Sequence, residues 1–194
     1  MLERLIETDK ELFLYLNNLG NQHWDAFWMF MSNKWASIPL YILLLLLCVY
    51  KLGWKRTGLV LVSVALMITA TDQLANFFKY GVGRFRPCHD TTLIDQMRLV
   101  KSYCGGKYGY FSAHAANSFA VATFFVLLFK KQLSWITPLL LVWALLVAYS
   151  RIYIGVHFPL DVITGMSIGM LSGWLFQSLW KLAMLKFLKP NPKE

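Results

Sequence analysis

Two histidines and a scatter of cations carry the chemistry in this chain. His157 lies in SRIYIGVHFPLD, residues 150–161, with Arg151 before it and Asp161 four residues after it. That spacing is one helical turn, so a carboxylate can hold the imidazole and fix its tautomer. His114 lies in KYGYFSAHAANS, two residues after Ser112. A third stretch, KYGVGRFRP, puts Lys79, Arg84 and Arg86 within eight residues. Lys, Arg, Ser and His gathered with no acid but Asp161 make a receptacle for a dianion. Arg offers forked, charge-assisted hydrogen bonds to phosphate oxygens and Lys a point charge. Ser112 and the backbone N–H groups of a helix starting near Ala113 can take one more oxygen. Singly, each of these cations could do no more than snorkel to a lipid headgroup. The case for a site rests on the three stretches meeting.

The elements around them can bring them together. The chain has 194 residues, 57% of them hydrophobic and 15% charged, which is too apolar for a soluble domain of this length. Spans of roughly 20 apolar residues cross a bilayer. Residues 36–50 form the clearest one, extended backward through FWMFM at 27–31; the others are 57–78, 113–129, 133–149 and 162–180. A sixth span near 11–32 is a weaker candidate. Residues 2, 5, 6, 12, 13 and 16 are apolar and share a helical face, which predicts an interfacial amphipathic helix over 1–22 rather than a cleaved signal. The expected fold is therefore an all-α integral-membrane bundle of five or six spans, one domain over 1–194.

The net charge of +9 does not point to nucleic acid, because the cations sit between spans. Lys51, Lys55 and Arg56, then Lys130 and Lys131, then Lys181, Lys186, Lys189 and Lys193 all fall on one side of five alternating spans. The positive-inside rule makes that side cytoplasmic. The 79–112 and 150–161 segments then face outward, at the ends of four spans, and the protein is expected in the plasma (inner) membrane with its site toward the periplasm.

The residues now quoted resemble a known family. K-x6-RP is met by Lys79, Arg86 and Pro87, and S-R-x5-H-x3-D by Ser150, Arg151, His157 and Asp161. The middle motif, usually P-S-G-H, reads Phe111, Ser112, Ala113 and His114. In order and at span ends, these resemble the type 2 phosphatidic acid phosphatase (PAP2) superfamily over residues 57–180. The resemblance implies phosphoryl transfer without metal or cofactor. His157 would attack phosphorus to form a phosphohistidine, supported by Asp161. His114 would protonate the leaving oxygen and then activate water. Lys79, Arg86, Ser112, Ala113 and Arg151 would hold the phosphate oxygens. The two imidazoles need opposite protonation states in the first step, which implies a bell-shaped pH profile.

Other residues have a second claim. Arg84 could touch a second phosphate or a headgroup, or simply face solvent. Asp72, seven residues before Lys79, could brace the cationic site or serve as polar packing. Asn117, one turn beyond His114, could orient it or bond between helices. Cys88 and Cys104 flank the outward loop and could be joined in an oxidising compartment. Gly165, Gly169 and Gly173 make a small-residue face for close packing, within the chain in preference to a dimer. The tryptophans Trp24, Trp28 and Trp35 are expected at the membrane interface.

The substrate expected is a lipid phosphate whose headgroup enters the polar site while its tail stays in the bilayer. An envelope lipid such as undecaprenyl diphosphate comes first. Lipid A phosphate, phosphatidylglycerol phosphate and phosphatidic acid are the alternatives, with hydrolysis or transfer to an acceptor. A non-hydrolytic lipid-phosphate binder or transporter is a further class, disfavoured because binding needs no positioned nucleophile and acid. Size and spans weigh against a vanadate peroxidase. Oligomeric state is left open.

Overall fold

The computed structural model describes residues 1–101 and 103–187, and within these the chain is helical. Seven α-helices appear there: α1 (Leu2–Asn18), α2 (Gln22–Ser32), α3 (Ile38–Leu52), α4 (Trp54–Val82), α5 (Ala113–Phe129), α6 (Ile136–Tyr153) and α7 (Pro159–Phe187). Short 3-10 turns occupy Lys34–Ser37 and Pro87–His89. Four helical stretches, Lys34–Leu52, Trp54–Val82, Ile136–Tyr153 and Pro159–Phe187, are long and apolar enough to cross a membrane, and α5 is apolar but shorter.

Helix α5 sits at the centre, buried on nearly every side. Its Ala115, Ala116, Ala120 and Ala122 give it a slim profile, and α7 meets it with Gly165, Gly169 and Gly173. A Cβ on Gly165 would lie 2.5 Å from the Ser112 carbonyl oxygen, and one on Gly173 2.5 Å from that of Ala120. Lipid tails supply no hydrophobic drive between helices, so backbone contact of this kind is what packs them. The glycine face is thus used inside the chain.

The basic ends meet as expected of alternating spans: Arg56, Lys131 and Lys181 line one cleft at the end of the bundle away from the histidines. Lys189 and Lys193 lie outside the described residues.

Two span expectations change at the N-terminal end. Residues 11–32 are not one span, because the chain breaks between α1 and α2 at Leu19–Asn21. FWMFM belongs to α2, not to the span after it. Asn33 ends that helix, and its Oδ1 accepts the Trp35 N–H to start the next turn. The stripe that α1 buries is Asp9, Phe13 and Asn17, with the apolar Leu2, Leu5, Ile6 and Leu12 left exposed. Asn17 Nδ2 donates to the carbonyls of Ile152 and Tyr153, at 3.1 and 2.8 Å, and its Oδ1 accepts the Arg98 N–H at 2.7 Å. Satisfying the carbonyls at the end of α6 docks α1 on the bundle. Trp28 follows it inward, stacked on Tyr153 with ring centroids 5.3 Å apart, while Trp24 and Trp35 remain exposed.

Candidate active site

The site assembles where α4, α5, α6 and α7 end on one face. Helix α6 stops at Tyr153, and Gly155 turns the chain at φ +83°. A Cβ there would sit 2.8 Å from the Arg98 carbonyl oxygen, so only glycine fits both the angle and the space. His157 follows in the loop and is 2% exposed.

His157 and Asp161 do not pair along a helix, as their spacing suggests, because His157 precedes α7. Pro159 occupies the first position of α7, where its missing N–H costs nothing. Asp161, two residues in, reaches back so that Oδ2 accepts the Phe158 N–H at 3.1 Å. A carboxylate at the third position of a helix commonly caps the start in this way. The cap leaves Oδ2 3.5 Å from His157 Nδ1. The other ring nitrogen, Nε2, lies 3.1 Å from Arg86 Nη1. An Arg donor on Nε2 requires a lone pair there, so the proton belongs on Nδ1, facing Asp161. Burial first, then the charges of Arg86, Arg151 and Lys79, drive the His157 imidazole well below its ordinary value of 6.5. The ring is therefore neutral at pH 7 with Nε2 free to bond.

Arg86 is anchored through the loop: Nη1 also donates to the Val156 carbonyl at 3.2 Å, and its backbone N–H donates to the Lys107 carbonyl at 3.2 Å. Its Nε is buried without a partner among the described residues, as is that of Arg151. Arg151 Nη1 is fastened to the hydroxyl and carbonyl of Ser32 on α2. Two guanidiniums with buried, unspent Nε donors suit an anion, since an unmet buried donor costs about 1–3 kcal/mol. Lys79 lies on the last turn of α4, which Gly83 closes in the left-handed region.

Ser112 caps α5: its Oγ accepts the Ala115 N–H at 3.4 Å, which leaves the hydroxyl proton to donate. Ala113 is the first helical residue, and none of the described non-glycine residues has a positive φ. Alanine in place of the family's glycine therefore imposes no backbone strain. Phe111, in place of proline, is fully buried against Phe78. His114 and Arg151 line a cleft of about 460 Å³, together with Ser32, Lys34, Trp35, Lys101 and Tyr103.

The remaining candidates are placed differently from one another. Arg84 is not aimed at a ligand. Its Nη1 donates to Asp161 Oδ1 at 2.9 Å, its Nη2 to Asp9 Oδ2 at 2.6 Å, and the group lies 4.2 Å from the Phe158 ring centre. Asn117 bonds across helices: its Nδ2 donates to Asp72 Oδ1 at 2.8 Å, and its Oδ1 accepts from the Thr71 hydroxyl. Asp72 and Asn117 thus tie α4 to α5. Cys88 and Cys104 are joined in a disulfide, Cα atoms 5.9 Å apart. Among the described residues no group of three His, Cys, Asp or Glu stands where a metal ion could be held.

Asp9 and Ser32 were not singled out from the sequence. Asp9 had one signal, its place a turn before Phe13 and two before Asn17. Ser32 had none.

Comparison with known proteins places the chain in a family. The PAP2 superfamily model matches residues 60–184. A lipid A 4'-phosphatase of Bacteroides thetaiotaomicron is 36% identical over 178 residues, covering 91% of this chain and 78% of that protein. An undecaprenyl-diphosphatase of Sulfolobus acidocaldarius is 30% identical over 173 residues, covering 86% and 76%. The crystal structure of Aquifex aeolicus LpxE superposes with a TM-score of 0.64 at 26% identity, covering 87% of this chain and 93% of that one.

Proposed function

This chain belongs to the PAP2 superfamily and is a membrane lipid phosphatase; from that premise we propose that it removes a phosphate from lipid A through a phosphohistidine. The observation that carries the mechanism is the buried His157 ring, held between Asp161 and Arg86 with Nε2 on the cationic side. What favours lipid A phosphate over undecaprenyl diphosphate is similarity: 36% to a protein named for the first substrate, 30% to one named for the second.

In this reading His157 Nε2 attacks phosphorus in line with the ester oxygen. Nδ1–H faces Asp161 Oδ2 at 3.5 Å, and that carboxylate's charge offsets the cation that develops on the ring. Lys79, Arg86 and Arg151 hold the equatorial oxygens, with the Ser112 hydroxyl and the Ala113 N–H beside them. His114 gives its proton to the departing sugar oxygen, then takes one from the water that cleaves the N–P bond. Inorganic phosphate leaves and both rings return to their starting states. The catalytic core is residues 57–180 of a single membrane domain. The site opens outward, opposite the end where Arg56, Lys131 and Lys181 gather.

A phosphate-release panel tests this with purified protein in lipid nanodiscs. Lipid A 1,4'-bisphosphate, its two monophosphates, undecaprenyl diphosphate, phosphatidylglycerol phosphate and phosphatidic acid are compared by kcat/KM. Lipid A phosphates should lead. Undecaprenyl diphosphate turning over more than about tenfold faster, a difference of 1.4 kcal/mol in transition-state binding, would reverse the substrate assignment.

A further inference from the structure

We propose that Asp9, on the N-terminal helix, is a positioning residue for phosphoryl transfer: it holds Arg84 on one oxygen of Asp161 so that the other stays on His157. The inference rests on the phosphohistidine reading above.

The contacts form a closed set. Asp9 Oδ2 accepts from Arg84 Nη2 at 2.6 Å, and Arg84 Nη1 donates to Asp161 Oδ1 at 2.9 Å. Asp9 Oδ1 accepts the backbone N–H of Leu160, the residue before Asp161, at 2.9 Å. One carboxylate therefore grips both the guanidinium that orients Asp161 and the backbone that carries it. Asp9 is 3% exposed and Asp161 fully buried. The face of α1 supports the same arrangement one turn on, where Phe13 packs edge-to-face on Phe158 at 5.4 Å. Residues 9 and 13 thus dock on the connection that contains His157, and Asn17 closes the far end on α6.

Charge explains why a second acid is needed. Arg84 between two carboxylates is more than neutralised, so Asp161 keeps negative charge for the imidazole. With Asp9 gone, Arg84 and Asp161 form a balanced pair. Asp161 is then drawn toward Arg84, and the ring cation formed during attack loses its counter-charge. The phosphate is held by other groups, Lys79, Arg86 and Arg151, so binding should change little.

The test is steady-state kinetics on Asp9→Asn, Arg84→Gln, the double variant, Asp9→Glu and Lys10→Ala. Lys10 is the neighbouring residue on α1 and pairs with Asp90 at 2.6 Å, away from Asp161. Asp9→Asn should lower kcat about tenfold or more, the scale seen when an outer partner of an active-site imidazole is lost, with KM within about twofold. The double variant should be no slower than Arg84→Gln, because Asp9 acts through Arg84. Asp9→Glu should regain part of the loss, and Lys10→Ala should match wild type. A wild-type kcat for Asp9→Asn, or losses that multiply in the double variant, overturns the inference while leaving the function standing. Lys10→Ala falling as far as Asp9→Asn overturns it too, by showing that any loosening of α1 suffices. Wild-type protein silent on every lipid phosphate removes the function and this inference together.

Discussion

The backbone N–H of Ser112 donates to the carbonyl oxygen of Asp161 at 2.9 Å. This bond locks the first residue before α5 to the first turn of α7, so the start of the His114 helix and the support of His157 move as one. It forms because Gly165, one turn along α7, lets the two backbones touch: a Cβ there would also meet Ala115 Cβ at 3.3 Å.

Gly165→Val should therefore separate the two helix starts. Overpacking of this kind costs typically 1–3 kcal/mol. The melting temperature should fall, and kcat should fall with it even at temperatures where the variant is folded. Unchanged kcat at full folding would mean that the α5–α7 contact does not set the site geometry.

Removal of the nucleophile should be absolute. His157→Gln should fold, bind lipid phosphate and release none of it. Wild type quenched in alkali during turnover of a phosphate-labelled lipid should carry label on protein, and the variant should carry none. EDTA should leave the wild-type rate unchanged, because Lys79, Arg86 and Arg151 meet the phosphate charge. A labelled His157→Gln protein would move the nucleophile elsewhere.

The pH dependence has a fixed sign. His157 is held neutral by burial, Arg86, Arg151 and Lys79, so its folded pKa lies below the unfolded value of 6.5. As pH falls below about 6.5, the unfolded chain takes up a proton that the folded chain refuses, and stability is lost. The melting temperature should decline from pH 7.5 to 5.5, and less so in His157→Gln. An identical slope in wild type and His157→Gln would show that this ring does not stay neutral.

Thiol titration reports on the outer segment. Unreduced protein should show one free thiol, the buried Cys48, and reduced, unfolded protein three. The bridge closes a loop of separation 16, worth about 3 kcal/mol in chain entropy. Cys88→Ser with Cys104→Ser should lower the melting point and raise proteolysis between residues 88 and 104. Three free thiols in native protein would refute the bridge.

The motif residues were legible because their chemistry is local. Lys79 with Arg86, Ser112 with His114, and Arg151 with His157 and Asp161 each fall within one short stretch, and alternation of apolar spans puts those stretches on one face. The stretch from Trp24 to Trp35 misled for the same reason. Its aromatic, apolar composition suits a span, but Asn33 breaks the helix and Trp28 finds Tyr153. Asn117 also read two ways, and its neighbour on α4 decided between them.

By itself, the amino-acid sequence determined that the chain lives in a bilayer and carries the PAP2 motifs from which a basic, histidine-centred phosphate site is proposed, because residue type, spacing and hydropathy are properties of short segments. Only the tertiary structure decided how each cation is spent. Arg84 and Arg86 stand two residues apart on the same loop, yet one is consumed between Asp9 and Asp161 while the other lies against His157. Their partners come from 71 to 77 residues away along the chain, and Arg151 finds Ser32 at a separation of 119. A buried charge must be met by whatever the packing brings to it, and no local pattern records which group that will be.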